Sequence, residues 1–290
     1  MRIIKVAILL STLILSGVAT ADFETGLVAH WSFDDCTAKD NTGNGHDGVV
    51  QGKPKCVSTT VNKGLKFNGV NDSITFKNMD NYFTTNDFSI TYYFKEGANR
   101  RLESVISKRP ICKNSPFIDI RSEGFALKHE IDDGISSWNI HSLKLNQGRI
   151  FVAMVRKGNS VFVYRNAKLD KKQLIANKVL DITNTAPFGI SNSPCLGVDG
   201  TKKFSGYIDE LRVYSRALSA SDISDLFNSL VPVSGSVRSL PTYTVRCKNE
   251  TTGQVVNIGT NTGNSYNCEA NGLNVNVGEN VSILINGDAQ

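Results

Sequence analysis

Apolar and polar residues alternate along most of this chain in short runs, the spacing of strands with one buried face. Phe88-Ser89-Ile90-Thr91-Tyr92-Tyr93-Phe94 keeps the alternation almost unbroken and predicts a half-buried strand. Leu27 to Phe33 predicts a first strand. Lys63 to Phe76 predicts two more, with Leu65 and Phe67, then Ile74 and Phe76, at alternate positions around Gly69-Val70-Asn71-Asp72. Ile150 to Arg156 is almost continuously apolar, as for a central strand, and turns at Lys157-Gly158-Asn159-Ser160 into Val161-Phe162-Val163-Tyr164. Turn-formers separate these runs, above all Asn41-Thr42-Gly43-Asn44-Gly45-His46-Asp47-Gly48. The pattern predicts an all-β chain.

One strand carries a conflict. At a period of two, Tyr207, Asp209, Leu211 and Val213 share one face, and Ile208, Glu210, Arg212 and Tyr214 share the other. The first face is apolar except for Asp209, and a carboxylate among core-facing residues is costly unless charge or several donors meet it. A short helix is expected to follow. Ser219 is a good N-cap, Asp222 stands at the third helical position, and Leu218 with Ile223 fits a hydrophobic staple.

The run Gly206-Tyr207-Ile208-Asp209-Glu210-Leu211-Arg212-Val213-Tyr214, followed by Arg216-Ala217-Leu218-Ser219, resembles the closing signature of the laminin-G-like, concanavalin-A-like jelly rolls. That signature reads roughly G-x-I-D-E-x-R-x-Y, then R-A-L-S and a short helix. Asn41 to Gly48 resembles the family's D-x-S-G-N-G-x-x-G loop, and Phe67 to Ile74 its F-D-G-x-D-D-Y-I hairpin, with Asn68 and Ser73 as departures. The central hairpin departs twice. The family's W-H-H-V is here Arg149-Ile150-Phe151-Val152, and its Y-x-D-G turn is Tyr164-Arg165-Asn166-Ala167. The resemblance implies a two-sheet antiparallel jelly-roll sandwich over residues 22–230.

A linker is expected over 231–241, opening with Val231-Pro232-Val233-Ser234-Gly235-Ser236. From 242 to 290 alternation resumes through Tyr243, Val245 and Cys247 to Val281, Ile283 and Ile285, which predicts a small antiparallel β unit. So short a unit has little core of its own and needs a staple or a surface to dock on.

At the other end, Met1 to Ala21 reads as a secretory signal peptide. Arg2 and Lys5 precede the apolar Val6–Val18, and Ala19-Thr20-Ala21 offers a small-residue cleavage site. Arg2 and Lys5 belong to the formal charge of +5, and the remaining Lys and Arg are scattered without a basic run. Nucleic acid is therefore not an expected partner, and no later segment is long and apolar enough to span a bilayer.

Six cysteines in an exported chain argue for disulfides, and none stands in the C-x-x-C spacing of zinc or redox sites. Many pairings are open to six cysteines. Chain order suggests Cys36 with Cys56 and Cys247 with Cys268 as local loops, which leaves Cys112 and Cys195. The resemblance implies that last pair as well, since similar proteins join a cysteine near Cys112 to one in an S-P-C-x-G-x-D-G-T loop, here Ser193 to Thr201.

The resemblance also implies chemistry. A structural calcium ion in such jelly rolls lies where the I-D-E aspartate meets carbonyls of the first strand and the F-D-G turn, which by position gives Asp34, Gly69 and Asp209, with Asn71 added. Without a metal, Asp209 would instead pair with an arginine or backbone N–H groups. Glycan binding is the implied function, and Asp132, Asp133 and Trp138 combine the polar groups and aromatic plane such a site uses. The other tryptophan, Trp31, is expected in the core. A glycoside hydrolase on this fold carries E-x-D-x-x-E, and Glu130-Ile131-Asp132 begins that way, but Ile135 stands where the last glutamate belongs. His30, His46, His129 and His141 form no ligand spacing. The sequence thus leads to an exported, non-catalytic module for a glycan or cell-surface glycoprotein, with a protein-binding adhesion module as the alternative.

Overall fold

The structure, a computed structural model, describes residues 24–59, 62–97, 101–124, 126–141, 148–175, 180–230, 234–236, 243–261, 265–269, 272–275 and 281–287. Met1–Ala21 lies outside the described residues.

The chain first lays down β1 (Leu27–Trp31), β2 (Gly48–Gln51), β3 (Lys55–Ser58), β4 (Lys63–Asn68), β5 (Ser73–Phe76) and β6 (Phe88–Glu96). Then come β7 (Leu102–Lys108), β8 (Pro116–Glu123), β9 (Ala126–Asp133), β10 (Ser137–His141), β11 (Ile150–Lys157), β12 (Ser160–Arg165) and β13 (Lys168–Leu174). β14 (Phe188–Ile190), β15 (Lys202–Lys203), β16 (Ser205–Tyr214) and the helix α1 (Ala220–Ser229) complete the sandwich. Beyond it lie β17 (Ser234–Ser236), β18 (Tyr243–Asn249), β19 (Val255–Asn261), β20 (Ser265–Asn267) and β21 (Val281–Gly287).

Two eight-stranded sheets form the body, almost wholly antiparallel. One runs β13-β12-β11-β6-β16-β4-β3, with β1 also pairing β16; the other runs β10-β9-β8-β7-β14-β5-β2, with β15 beside β7. Their inner faces meet in one core that includes Phe67, Ile90, Phe94, Met154 and Ile208 from the first sheet and Ile74, Ile106, Ile120 and Phe188 from the second. Trp31 is fully buried there, stacked on Phe76 at 3.8 Å, its indole N–H donating to the His46 carbonyl at 2.9 Å. The sandwich and its core follow the alternation that predicts them.

β6 was expected to be half-buried, yet both of its faces are covered. Tyr93, Phe151, Val155 and Tyr214 on the outer face of the first sheet pack under α1, through Ile223 and Leu226. The helix starts as its sequence dictates. Ser219 Oγ accepts the Asp222 N–H at 3.1 Å, and Asp222 returns a carboxylate oxygen to the Ser219 N–H at 2.9 Å.

β16 corrects the period-two reading. Its register slips between Asp209 and Arg212, where Glu210 adopts a left-handed φ of 52°. The extra residue puts Ile208, Leu211 and Val213 in the core and turns Asp209 to the outer face, opposite Tyr93. The carboxylate leaves the apolar face through a bulge.

Three disulfides join Cys36 to Cys56, Cys112 to Cys195 and Cys247 to Cys268. β18 is the middle strand of a three-stranded sheet with β19 and β21, around a core that includes Val245 and the Cys247–Cys268 pair. Ser234–Ser236, assigned to the linker from sequence, pairs with β20 as the strand β17. Among the described residues no helix is long and apolar enough to cross a membrane.

Candidate functional site

The bulge in β16 creates a polar recess on the outer face of the first sheet. Gly64 of β4 lies beside Asp209, and a Cβ there would come within 3.0 Å of the Asp209 side chain, so the missing side chain makes the room. The recess, about 290 Å³, is lined by Ser58, Thr59, Tyr93, Lys95, Arg149, Tyr207 and Asp209.

Asp209 is 1% exposed. Its Oδ2 accepts a hydrogen bond from Thr59 Oγ1 at 2.8 Å and another from the Arg149 guanidinium, which lies 4.1 Å above the Tyr93 ring. Its Oδ1 has no hydrogen-bond partner among the described residues. Burial pushes the Asp209 carboxyl up to about 8, only partly offset by Arg149 and reinforced by the neighbouring Glu210. One strand position away, Tyr207 stands between Lys66 of β4 and Lys95 of β6 in register, and both ammonium groups lie over its ring, at 5.3 and 5.5 Å. The recess therefore combines aromatic rings, hydroxyl groups, the cations Lys95 and Arg149 and one buried carboxyl, with Lys66 beside it over Tyr207.

Glu210, next along, belongs to a different network. Its Oε2 lies 2.9 Å from His30 Nε2 and 2.6 Å from an Arg212 nitrogen. Burial would raise its pKa, but the Arg212 guanidinium and the His30 bond outweigh that and hold it at about 2. A larger recess of about 450 Å³ borders His30, Asp34 and Glu210, whose carboxylates are already engaged.

The residues expected to bind calcium do not come to one point. Asp34 and Asp209 both bond to the β3–β4 connection, Asp209 through Thr59 and Asp34 through the Lys63 N–H at 3.1 Å and Asn62 at 3.4 Å. Gly69 instead lies against Ser205, four residues along β16 and so roughly 13 Å from Asp209. Asn71 is beside it, its side-chain oxygen accepting from Asn68 at 2.8 Å. The cation beside Asp209 is Arg149, at the position where the chain departs from the family's W-H-H-V. This donor set does not fit a calcium ion.

The expected sugar-binding residues share one hairpin. Asp132 Oδ1 accepts the Gly134 N–H at 2.6 Å, and Asp133 Oδ1 accepts those of Ile135 and Ser136 at 2.9 and 2.8 Å. Both aspartates thus cap the β9–β10 turn. Trp138, half-buried and paired with Ile131 across the two strands, packs against the main core. The hairpin accounts for these groups structurally.

A carboxylate pair also forms, though not where the hydrolase pattern would put one. Asp119 and Glu130 face each other across β8 and β9, with Arg121 Nε 3.0 and 2.9 Å from their oxygens. Burial pushes Asp119 up to about 6, partly offset by Arg121. Ser193, Asp199 and Thr201 of the loop held by Cys112–Cys195 bond onto Asp119 and Arg121. Two carboxylates sharing a guanidinium beneath a disulfide-held loop have no open space for a glycosidic bond.

Sequence reasoning missed Arg149, Thr59, Tyr207, Lys66 and Lys95. The available signals were Arg149 at a family departure and Tyr207 in the variable place of G-x-I-D-E.

The profile of the concanavalin A-like lectin/glucanases superfamily matches residues 68–224, more than half of the chain, and the chain belongs to that family. No curated protein matches the sequence. Among solved structures, the chain is similar to domain 4 of AbnA, a GH43 extracellular arabinanase from Geobacillus stearothermophilus, in complex with arabinotriose. The identity is 21%, the TM-score 0.53, and 69% of this chain and 97% of that one are covered. It is also similar to the binding domain of Paraclostridial Mosquitocidal Protein 1, at 17% identity and TM-score 0.58, covering 80% of this chain and 63% of that one. The binding domain of botulinum neurotoxin DC in complex with rat synaptotagmin II matches at 15% identity and TM-score 0.58, with 84% and 64% covered. The chain thus spans less than two thirds of those toxin binding domains. At these identities the likeness establishes the fold.

Proposed function

We propose that this protein is an exported, non-catalytic binding module for a carbohydrate or the glycan of a cell-surface glycoprotein, and that the recess beside Asp209 is its binding site. The observation that carries the reading is Asp209 Oδ1, a buried acceptor left unpartnered among the described residues in a recess lined by tyrosine rings and hydroxyls. A buried polar oxygen without a partner costs free energy, and a sugar hydroxyl is the kind of donor that would relieve it. Solved relatives of the fold include a domain in complex with arabinotriose and a toxin binding domain in complex with synaptotagmin II, which supports a binding role of this general kind. Three disulfides and the expected signal peptide support export. The reading requires no calcium at this point, because the Arg149 guanidinium already occupies the place beside Asp209.

The test is a glycan array probed with the disulfide-intact protein and with Tyr207→Ala. Saturable binding to a defined saccharide, lost in Tyr207→Ala while its melting temperature is kept, is the expected result. Binding unaffected by Tyr207→Ala would move the site elsewhere. Folded protein that binds no glycan would favour the protein-binding alternative.

A further inference from the structure

We propose that the recess beside Asp209 selects anionic saccharides, with the acid group of the sugar held by Lys66 and Lys95 and its hydroxyls directed to Thr59 and Asp209. The inference rests on the glycan reading above and names the ligand class.

The argument begins with register. Tyr207 pairs with Lys66 on one side and Lys95 on the other, so the two lysines flank one ring across three adjacent strands. The two lysines stand two strand spacings apart, roughly 10 Å between backbones, and each ammonium group leans over the Tyr207 ring between them, at 5.3 and 5.5 Å from its centroid. Neither lysine has a carboxylate partner among the described residues. The one acidic group lining the recess, Asp209, is already bonded to Arg149, so it does not balance the two lysines. The rim is thus a pair of cations sharing an aromatic support, a setting in which a carboxylate or sulfate forms charge-assisted hydrogen bonds to both. A neutral sugar would leave that pair uncompensated. Deeper in, Thr59 Oγ1 and the unpartnered Asp209 Oδ1 meet hydroxyl groups rather than charge.

Matched neutral, carboxylated and sulfated oligosaccharides, titrated against the full disulfide-intact protein and a Lys66→Gln/Lys95→Gln double variant, test this. Both lysines are exposed, so the double variant should fold, which its melting temperature verifies. The expected result is binding to an acidic saccharide at least about tenfold tighter than to its neutral counterpart, with about tenfold lost in the double variant. Comparing the carboxylated and sulfated sets identifies the acid group. Neutral saccharides bound as tightly as acidic ones, with no effect of the double variant, would overturn the anionic preference and leave the glycan reading intact. Absence of binding to all three sets by folded protein would overturn both.

Discussion

Asp209 and Glu210 are consecutive residues whose carboxyl groups are driven in opposite directions. Burial pushes Asp209 up to about 8 against the pull of Arg149, while Arg212 and His30 overcome burial and hold Glu210 at about 2. The left-handed φ of 52° at Glu210 makes this division by letting the two side chains enter separate networks. One carboxylate is held by an ion pair with Arg212 and a bond to His30, and the other carboxyl faces a recess with an oxygen to spare.

The stability cost of Asp209 should therefore depend on pH. The folded protein keeps the Asp209 proton up to about pH 8, whereas the unfolded chain releases it near 3.8. The raised pKa contributes stability that is fully present below about 3.8 and lost as pH rises through about 8. Urea unfolding of wild type and Asp209→Asn at pH 5 and pH 8.5 reads this out. The wild type should lose ground to the variant as pH rises, and a constant gap would show that Asp209 is charged throughout.

Lys108 is expected to be a stability residue. Its ammonium is fully buried and donates to the Asn184 carbonyl at 2.6 Å, the Ala186 carbonyl at 2.9 Å and the Asn184 side chain at 3.1 Å. Lys108→Met fills the volume but strands those acceptors, at a cost of about 3 kcal/mol. Thermal unfolding measures it, and a loss below about 1 kcal/mol would mean that the carbonyls find other donors.

Removing the Cys112–Cys195 bond should cost more than any surface change. It joins residues 83 positions apart, a closure worth about 4 kcal/mol in chain-entropy terms. A Cys112→Ser/Cys195→Ser variant should melt roughly 10 °C lower. It should also release the loop over Arg121, seen as faster amide exchange in β8.

Calcium should leave the melting temperature unchanged. Asp34 and Asp209 are separated from Gly69 and Asn71 along β16, and Arg149 takes the place beside Asp209. Melting curves in calcium and in excess chelator should coincide. A rise in calcium that Asp209→Asn abolishes would return the ion to this site.

Much of the fold is legible because its causes are local. Alternation marks β4, β5 and β6, an almost continuous apolar run marks β11, and the Ser219–Asp222 capping box is written within four residues. The bulge at Glu210 is not legible, because a single backbone angle decides which face each later residue takes. Neither is the Arg149–Asp209 contact, which spans 60 residues and depends on how β11 and β16 are placed in one sheet. Lys108 and Arg156 read as ordinary surface charges, yet both are buried, and Arg156 donates to the carbonyls of Thr84 and Leu180 at 2.6 Å each. Composition cannot reveal that a cation holds loops by their carbonyls.

The position of β16 within the first sheet has a consequence for how the molecule is made. It lies between β4 and β6 and also pairs with β1, yet it is the last strand of the sandwich to leave the ribosome. The hairpin β3–β4 and the block β6-β11-β12-β13 are synthesised earlier but have no hydrogen-bonded neighbour in common until residues 205–214 arrive. Closure of the sheet is therefore a late, long-range event, and a nascent chain cut short before β16 exposes two unpaired strand edges flanking the gap.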